Sequence, residues 1–304
     1  MHLPSFFNKF RSHSQQPKDT KEAAKPAASA PAMSTKPVLY TFGLSVWSAV
    51  TELASEEVGV PVEPRINNVV GGENFDPAFL KINPAGTLPT IVAPDGKVYG
   101  NTTDAVKYLI SASSKKVAPG HPEIIAKVHE DKYDPNFCLL TARNEEELKK
   151  AAEGFPFTFI NNRQESLVKY SAAPEGAAYK DFYAPKIESN GGLLKIYKGE
   201  SPPDDFYVIS TNHWKNVADY ILNDLPQILP ESGFIGGAEP GEDDFHVGAW
   251  LARVTWITGG NKEADGYKAL EKELHAPVPP KVIAYWKAWS SRPSWAKVYA
   301  ETLH

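Results

Sequence analysis

Asn83-Pro84-Ala85-Gly86-Thr87-Leu88-Pro89-Thr90-Ile91-Val92 is the stretch that decides the fold of this chain. A proline leading into an apolar run cannot donate a ladder hydrogen bond, so Pro89 belongs at a strand's first residue or on an edge. Proline also pushes the residue before it into an extended conformation. Leu88 then presents an unpaired main-chain N–H and C=O. Such an edge accepts another peptide as an added strand.

Outward from this stretch the pattern alternates. Val38 to Leu44 reads as a buried strand, and Ser45 opens an amphipathic helix through Val46, Ala49, Val50, Leu53 and Ala54 that Gly59 stops. Val60 to Val70 is extended, with Pro61 and Pro64 marking an edge strand. Phe79 and Leu80 form a helical turn ending at Asn83-Pro84. Pro89 to Ala93, the Pro94-Asp95-Gly96 turn and Lys97 to Tyr99 form a hairpin. A helix with Ala105, Val106, Tyr108, Leu109 and Ile110 follows. The order β-α-β-α-β-β-α is that of a thioredoxin-like α/β domain over residues 37–114.

Beyond Gly120 the pattern is helical throughout. Candidate helices cover Pro122–Lys132, Asn144–Glu153, Asn161–Ser171, Tyr179–Tyr197, Asp205–Leu229, Asp243–Thr258 and Val278–Ser290, with Gly and Pro between them. The expectation is a second, all-helical domain over residues 120–304, with Pro174 to Pro203 as a candidate insertion.

Residues 1–36 differ from both. From Gln15 to Lys36 the chain is Lys, Ala, Pro and Ser with almost no large apolar residue, a composition that reads as a disordered tail. Leu3, Phe6, Phe7 and Phe10 stand at helical spacing beside Lys9 and Arg11. That leaves a membrane-surface helix or a mitochondrial address as alternatives to a cytoplasmic protein with a plain tail.

Bulk composition narrows the function classes. Of 304 residues, 42% are hydrophobic and 23% charged, which is ordinary for a globular protein. A net charge of −5 and the lack of a basic stripe argue against nucleic acid as the partner. The single cysteine, Cys138, excludes an intrachain disulfide and fits a reducing compartment. Its neighbours Phe137 and Leu139 suggest a buried, inert thiol.

Leu39-Tyr40 followed by Ser45 at a helix start, Phe79-Leu80-Lys81-Ile82-Asn83-Pro84, and Pro89 together resemble the cytosolic glutathione transferase family, its theta- and delta-like classes in particular. Phe234-Ile235-Gly236-Gly237 leading to Gly241-Glu242-Asp243-Asp244-Phe245 resembles the start of that family's core helix, where Asp244 takes the place of a buried capping aspartate. The long helical part and Pro293-Ser294-Trp295 are most similar to fungal members. The resemblance implies catalysis by Ser45, a cis peptide at Pro89, and glutathione contacts from Asn74, Leu88, Pro89, Thr102 and Thr103. It also implies glutathione as co-substrate with no bound cofactor, no metal, a hydrophobic small molecule as second substrate, and a homodimer. The chain departs from the family where a Glu-Ser pair usually stands: Thr102-Thr103 keeps a hydroxyl for the α-carboxylate and loses the negative charge for the α-amino group. Asn74 and Gly86 replace histidines that approach the glycyl carboxylate in delta-like members.

The chemistry follows from acidity. A thiol with pKa near 8.5 is mostly protonated at neutral pH, and only the thiolate attacks electrophiles. A Ser45 hydroxyl donating to the sulfur favours the charged form, and a helix N-terminus adds partial positive charge at the same point. A downward shift of about two units corresponds to roughly 2.7 kcal/mol. Against this stands the plain role of serine as a helix N-cap, which competes for the same hydroxyl. Ser45-Val46-Trp47-Ser48 occupies the place of a Cys-x-x-Cys motif, so disulfide exchange through a protein cysteine is excluded there. Tyr40 reads as core; so do His121, His129, His213, His246 and His275, or else as surface. The five tryptophans from Trp250 to Trp295 read as core or as an apolar substrate wall. The leading function is activation of glutathione for attack on a hydrophobic electrophile. The alternatives are a non-enzymatic glutathione-binding or protein-interaction module, and a glutathione peroxidase or ligand carrier.

Overall fold

A computed structural model describes residues 35–304. β1 (Val38–Thr41), α1 (Val46–Val58), β2 (Glu63–Ile66), a single 3₁₀ turn (Glu73–Phe75), α2 (Pro77–Leu80), β3 (Thr90–Val92), β4 (Val98–Tyr99) and α3 (Thr102–Ala112) make up the first part. The sheet order is β2-β1-β3-β4. β1 and β2 run parallel with Val38 opposite Glu63, because the intervening α1 crosses over the sheet. β3 lies antiparallel to β1, with Tyr40 opposite Thr90, and pairs with β4 as a hairpin. Pro64 sits on the edge strand β2, where a missing N–H costs no ladder bond. This is the expected thioredoxin-like arrangement.

β1 is shorter than its apolar run predicts. The chain leaves the sheet after Thr41, and the Ser45 N–H turns back to the Phe42 carbonyl at 2.9 Å. That turn aims α1 at the sheet. Val46, Ala49, Val50 and Leu53 are fully buried against Leu39 and Ile91, and Gly59 ends the helix in the left-handed conformation at φ 71°.

The helical part contains α4 (Pro122–Val128), α5 (Pro135–Leu140), α6 (Glu145–Ala152), α7 (Phe155–Ala172), α8 (Lys180–Tyr197), α9 (Asp204–Asp219), α10 (Leu225–Ile228), α11 (Glu242–Ile257), α12 (Ala269–Leu274), α13 (Pro280–Ser290) and α14 (Pro293–Val298). Three differences from the expected helices have physical reasons. α7 starts at Phe155 rather than Asn161, since Pro156 falls in the first turn, where its missing N–H has no partner to lose. The run from Asp205 to Leu229 is broken by a π turn, Tyr220–Asp224. Pro226 cannot donate to the carbonyl of Leu222, and its ring crowds that carbonyl, so the helix widens there. α5, α12 and α14 have six residues each, too short for an apolar period to register.

α11 is buried on every side from Glu242 to Thr255 and packs on α1, joining the two parts. Arg292 donates through Nε to Glu57 of α1 at 3.0 Å, and the Ser294 hydroxyl donates to the same carboxylate. Trp250, Trp286, Trp289 and Trp295 are at most 1% exposed, so four of the five tryptophans belong to the core. Cys138 is buried, and burial pushes its thiol well up, as expected of an inert sulfur.

The start of α11 is held by one carboxylate. Asp244 accepts from the N–H groups of Ile235 (2.9 Å), Gly236 (2.8 Å) and Gly241 (2.8 Å), in the place the resemblance assigns to a capping aspartate. The Leu3–Phe10 pattern lies outside the described residues. Among the described residues, no helix is long and apolar enough to cross a membrane. Removing the Asp244 carboxylate orphans three backbone donors at once, the Gly241 N–H buried and the other two partly so. Asp244→Ala is expected to lower unfolding free energy by about 3–5 kcal/mol in urea titrations, several times the effect of a surface substitution.

Candidate functional site

A cleft of about 890 Å³ opens between the two parts. Its sheet-side wall includes Phe42, Leu44, Ser45, Trp47, Leu88, Thr102 and Thr103, and its helical wall includes His129, Leu140, Phe159, Arg163 and Trp256. Four of the six site residues expected from sequence therefore face one space. Pro89 and Asn74 are not on the wall.

Ser45 is the N-cap of α1, with φ −100° and ψ 112°. Its Oγ accepts the Ser48 N–H at 3.3 Å. Accepting uses a lone pair, so the hydroxyl proton is left to donate elsewhere. The two roles that compete on paper use different halves of the hydroxyl. Ser48 is fully buried and absent from the cleft wall, so of the two serines only Ser45 faces the cleft. The residue before Ser45 is anchored from the other side of the cleft. Arg253 of α11 donates through Nη2 to the Leu44 carbonyl at 2.7 Å and to Asn136 Oδ1 at 3.0 Å. Burial pulls the Arg253 guanidinium down to about 10, which leaves it charged at neutral pH.

Leu88 stands on the cleft floor at the cis Leu88–Pro89 peptide. Among the described residues its N–H and C=O form no backbone hydrogen bond. The loop around it is tied by Asn83, which is 4% exposed. The two protons of the Asn83 amide are shared among Thr87 O (3.1 Å), Thr90 Oγ1 (2.8 Å) and Gly100 O (3.0 Å), while its oxygen accepts from the Ala85 N–H (3.1 Å). Pro89 thus shapes the loop, and Leu88 supplies the edge.

Thr102 and Thr103 form the first turn of α3, whose N-cap Asn101 accepts the Asp104 N–H at 2.9 Å. This helix N-terminus opens into the cleft and suits an anion. Asp104 does not turn in to replace the missing glutamate; its carboxylate accepts from Asn101 Nδ2 at 2.6 Å and stays exposed. Asn74 is buried, and its amide donates to the Gly86 carbonyl at 2.9 Å. One of its two amide N–H groups holds the loop, and the residue is buried away from the cleft wall, so the contact expected from it toward a glycyl carboxylate does not face the cleft.

Two wall residues, His129 and Arg163, escaped sequence reasoning, whereas Trp256 takes the substrate-wall place that the sequence left open for it. His129 stacks on Trp47 with centroids 4.0 Å apart and shares a 2.9 Å hydrogen bond between its Nε2 and Nδ1 of His246. His246 is fully buried, and burial pulls it down to about 3, so it is neutral. Nothing in their spacing marks this pair, which distant segments bring together. Trp256 faces the cleft at the end of α11, with Arg253 5.2 Å from its ring centroid. Arg163 belongs to a helix face that gave no charge pattern.

The sheet, the cis-proline loop and the helical part define the fold class, that of the glutathione transferases. Residues 39–116 match the family described as glutathione S-transferase, N-terminal domain, so the chain carries that domain. It is 27% identical over 84 residues to glutathione S-transferase D7 of Drosophila melanogaster, across 28% of this chain and 37% of that protein. The chain thus spans just over a third of the length of that curated relative. Beta-etherase LigF from Sphingobium sp. strain SYK-6 has the same fold, with a TM-score of 0.56 at 15% identity over 88% of this chain and 99% of that one. A glutathione transferase homolog from Sulfitobacter, solved with bound glutathione, aligns over 88% and 99% of the two chains at 15% identity and a TM-score of 0.49.

Asn83 is the residue whose loss tests the floor of this cleft. Asn83→Ala is expected to cost about 2–4 kcal/mol in chemical denaturation, because the side chain's two amide protons and its oxygen hold the buried loop together. Any ligand held on the Leu88 edge is expected to weaken with it.

Proposed function

We propose that this protein is a glutathione transferase of the serine type, activating the thiol of glutathione for attack on an apolar electrophile. The tripeptide lies along the Leu88 edge as a short antiparallel strand. Its γ-glutamyl carboxylate takes the N-terminus of α3 and the Thr103 hydroxyl. Its sulfur meets the Ser45 hydroxyl, whose proton is left to donate because the helix cap occupies only a lone pair. That arrangement at Ser45 is the observation that carries the reading. Hydrogen bonding to the thiolate and the N-terminus of α1 both lower the thiol's pKa. Trp256, Phe159 and Leu140 supply an apolar wall for the second substrate. By resemblance the active form is a homodimer.

Ser45→Ala separates the proposal from its rival. It is expected to leave glutathione affinity within a few-fold, to abolish the thiolate band in the ultraviolet difference spectrum of the complex, and to cut conjugation of an aryl halide about 100-fold. Loss of the cap costs only about 1 kcal/mol of stability, so the variant remains folded for comparison. A non-enzymatic glutathione-binding role is favoured by one observation, the lack of a carboxylate at Thr102 with Asp104 held by Asn101. Under that reading the unaltered protein binds glutathione, shows no thiolate band and turns nothing over.

A further inference from the structure

α7 and α8 pack together as a helical hairpin that lines part of the cleft through Phe155, Phe159, Arg163 and Asn190, and it carries two cations, Arg163 on α7 and Lys186 on α8. The hairpin is seated on the sheet domain. The Tyr183 hydroxyl donates to the Phe75 carbonyl at 2.6 Å, and the Ser166 hydroxyl donates to the Gly71 carbonyl at 2.9 Å. The fit leaves no space: a Cβ on Gly72 would lie 2.3 Å from Ser166, and one on Gly86 would lie 2.7 Å from Phe182. Both glycines also have positive φ, so no side chain is tolerated there.

Arg163 forms part of the cleft wall. Its Nε is sealed from solvent and has no hydrogen-bond partner, and its guanidinium lies 4.5 Å from the Phe75 ring centroid. Lys186 is 7% exposed, with its ammonium 4.7 Å from the Phe182 ring. Among the described residues neither cation is paired with a carboxylate. Arg143 is paired with Glu147 and Glu273 and Arg292 with Glu57 and Glu239, while Arg253, also without an ion-pair carboxylate, donates to the Leu44 carbonyl and Asn136. Aromatic contacts return about 0.5–2 kcal/mol each, well short of the several kcal/mol that burying an ion costs. The two charges also oppose each other, and burial together with Arg163 pulls Lys186 down to about 8. An anion entering the cleft would meet Arg163 on its wall, with the Lys186 charge close enough to be felt by Arg163.

We propose that Arg163, supported by Lys186, is a carboxylate-binding site of this cleft. The planar guanidinium presents paired donors that match the two oxygens of a carboxylate, and the neighbouring ammonium adds charge. Phe159 and Phe155 beside it suit an apolar body carrying the acid. The carboxylate comes either from the glycyl end of a tripeptide on the Leu88 edge or from the second substrate. The first source rests on the glutathione reading above; the second does not. It would also account for Asn74 and Gly86 standing off the cleft wall, since the hairpin supplies the charge they lack.

Calorimetric titration with two acid–ester pairs tests the site and its source. The pairs are glutathione against its glycyl monoethyl ester, and phenoxyacetate against methyl phenoxyacetate. The full chain is expected to prefer at least one acid over its ester by about tenfold or more. Arg163→Met is expected to erase that preference and Lys186→Met to reduce it several-fold. Preference within the glutathione pair assigns the glycyl carboxylate, and preference within the other pair assigns the second substrate. If neither glutathione nor its ester binds, the glutathione reading fails while the phenoxyacetate pair still decides the site. No acid preference in the full chain, or one that survives Arg163→Met, overturns the proposal. Removing an unpaired buried charge is expected to leave the melting temperature of Arg163→Met equal or higher. A fall of several degrees would assign Arg163 to folding and likewise overturn the site.

Discussion

A hydroxyl accepts through its lone pairs and donates through one proton, and the cleft is organised around keeping those capacities separate at Ser45. The cap bond to Ser48 takes a lone pair and fixes the side chain at the head of α1. What positions this hydroxyl is partly local and partly remote in sequence. The Phe42 carbonyl turns the chain, Arg253 of the core helix holds the Leu44 carbonyl, and Glu57 at the far end of α1 is gripped from α14 and its N-cap. α1 is thus clamped at both ends by the helical part. The sheet domain alone would place the serine without fixing it.

Two buried polar side chains perform comparable work on the two sides of the cleft. Asn83 satisfies a loop that has no regular ladder, and Asp244 satisfies the donors that precede the core helix. Each replaces missing secondary structure with one residue, so each concentrates in one position a cost that a strand spreads over several. Leu88 is left out of the Asn83 network, and that omission is what gives the loop an unpaired edge.

Much of this was legible in the sequence because it rests on local rules. Pro89 after Leu88, Gly59 after an amphipathic run, and Pro64 on an edge each dictate backbone geometry without reference to distant residues. The sheet domain and the cap at Ser45 followed from such signals, while the capping role of Asp244 came from the resemblance. The rest depended on contacts between segments. Nothing near Asn74 announces that its amide donates to Gly86, and nothing near His129 announces His246. The break at Tyr220–Asp224 was local, but its signal, Pro226, sits after the turn it causes. Arg163 is an ordinary helix residue in sequence and becomes distinctive only where the hairpin meets the sheet domain and no acid accompanies it.

The α7–α8 hairpin adds Phe155, Phe159, Arg163 and Asn190 to a cleft whose sheet side carries Ser45, Leu88, Thr102 and Thr103. What the account asserts at its centre is where a sulfur atom sits. A crystal structure of the protein with glutathione measures that directly. The account requires the tripeptide antiparallel to Leu88 with its sulfur about 3–3.5 Å from Ser45 Oγ, close enough to receive the proton. A cleft that stays empty at saturating glutathione, or a tripeptide whose sulfur points away from Ser45, would contradict it.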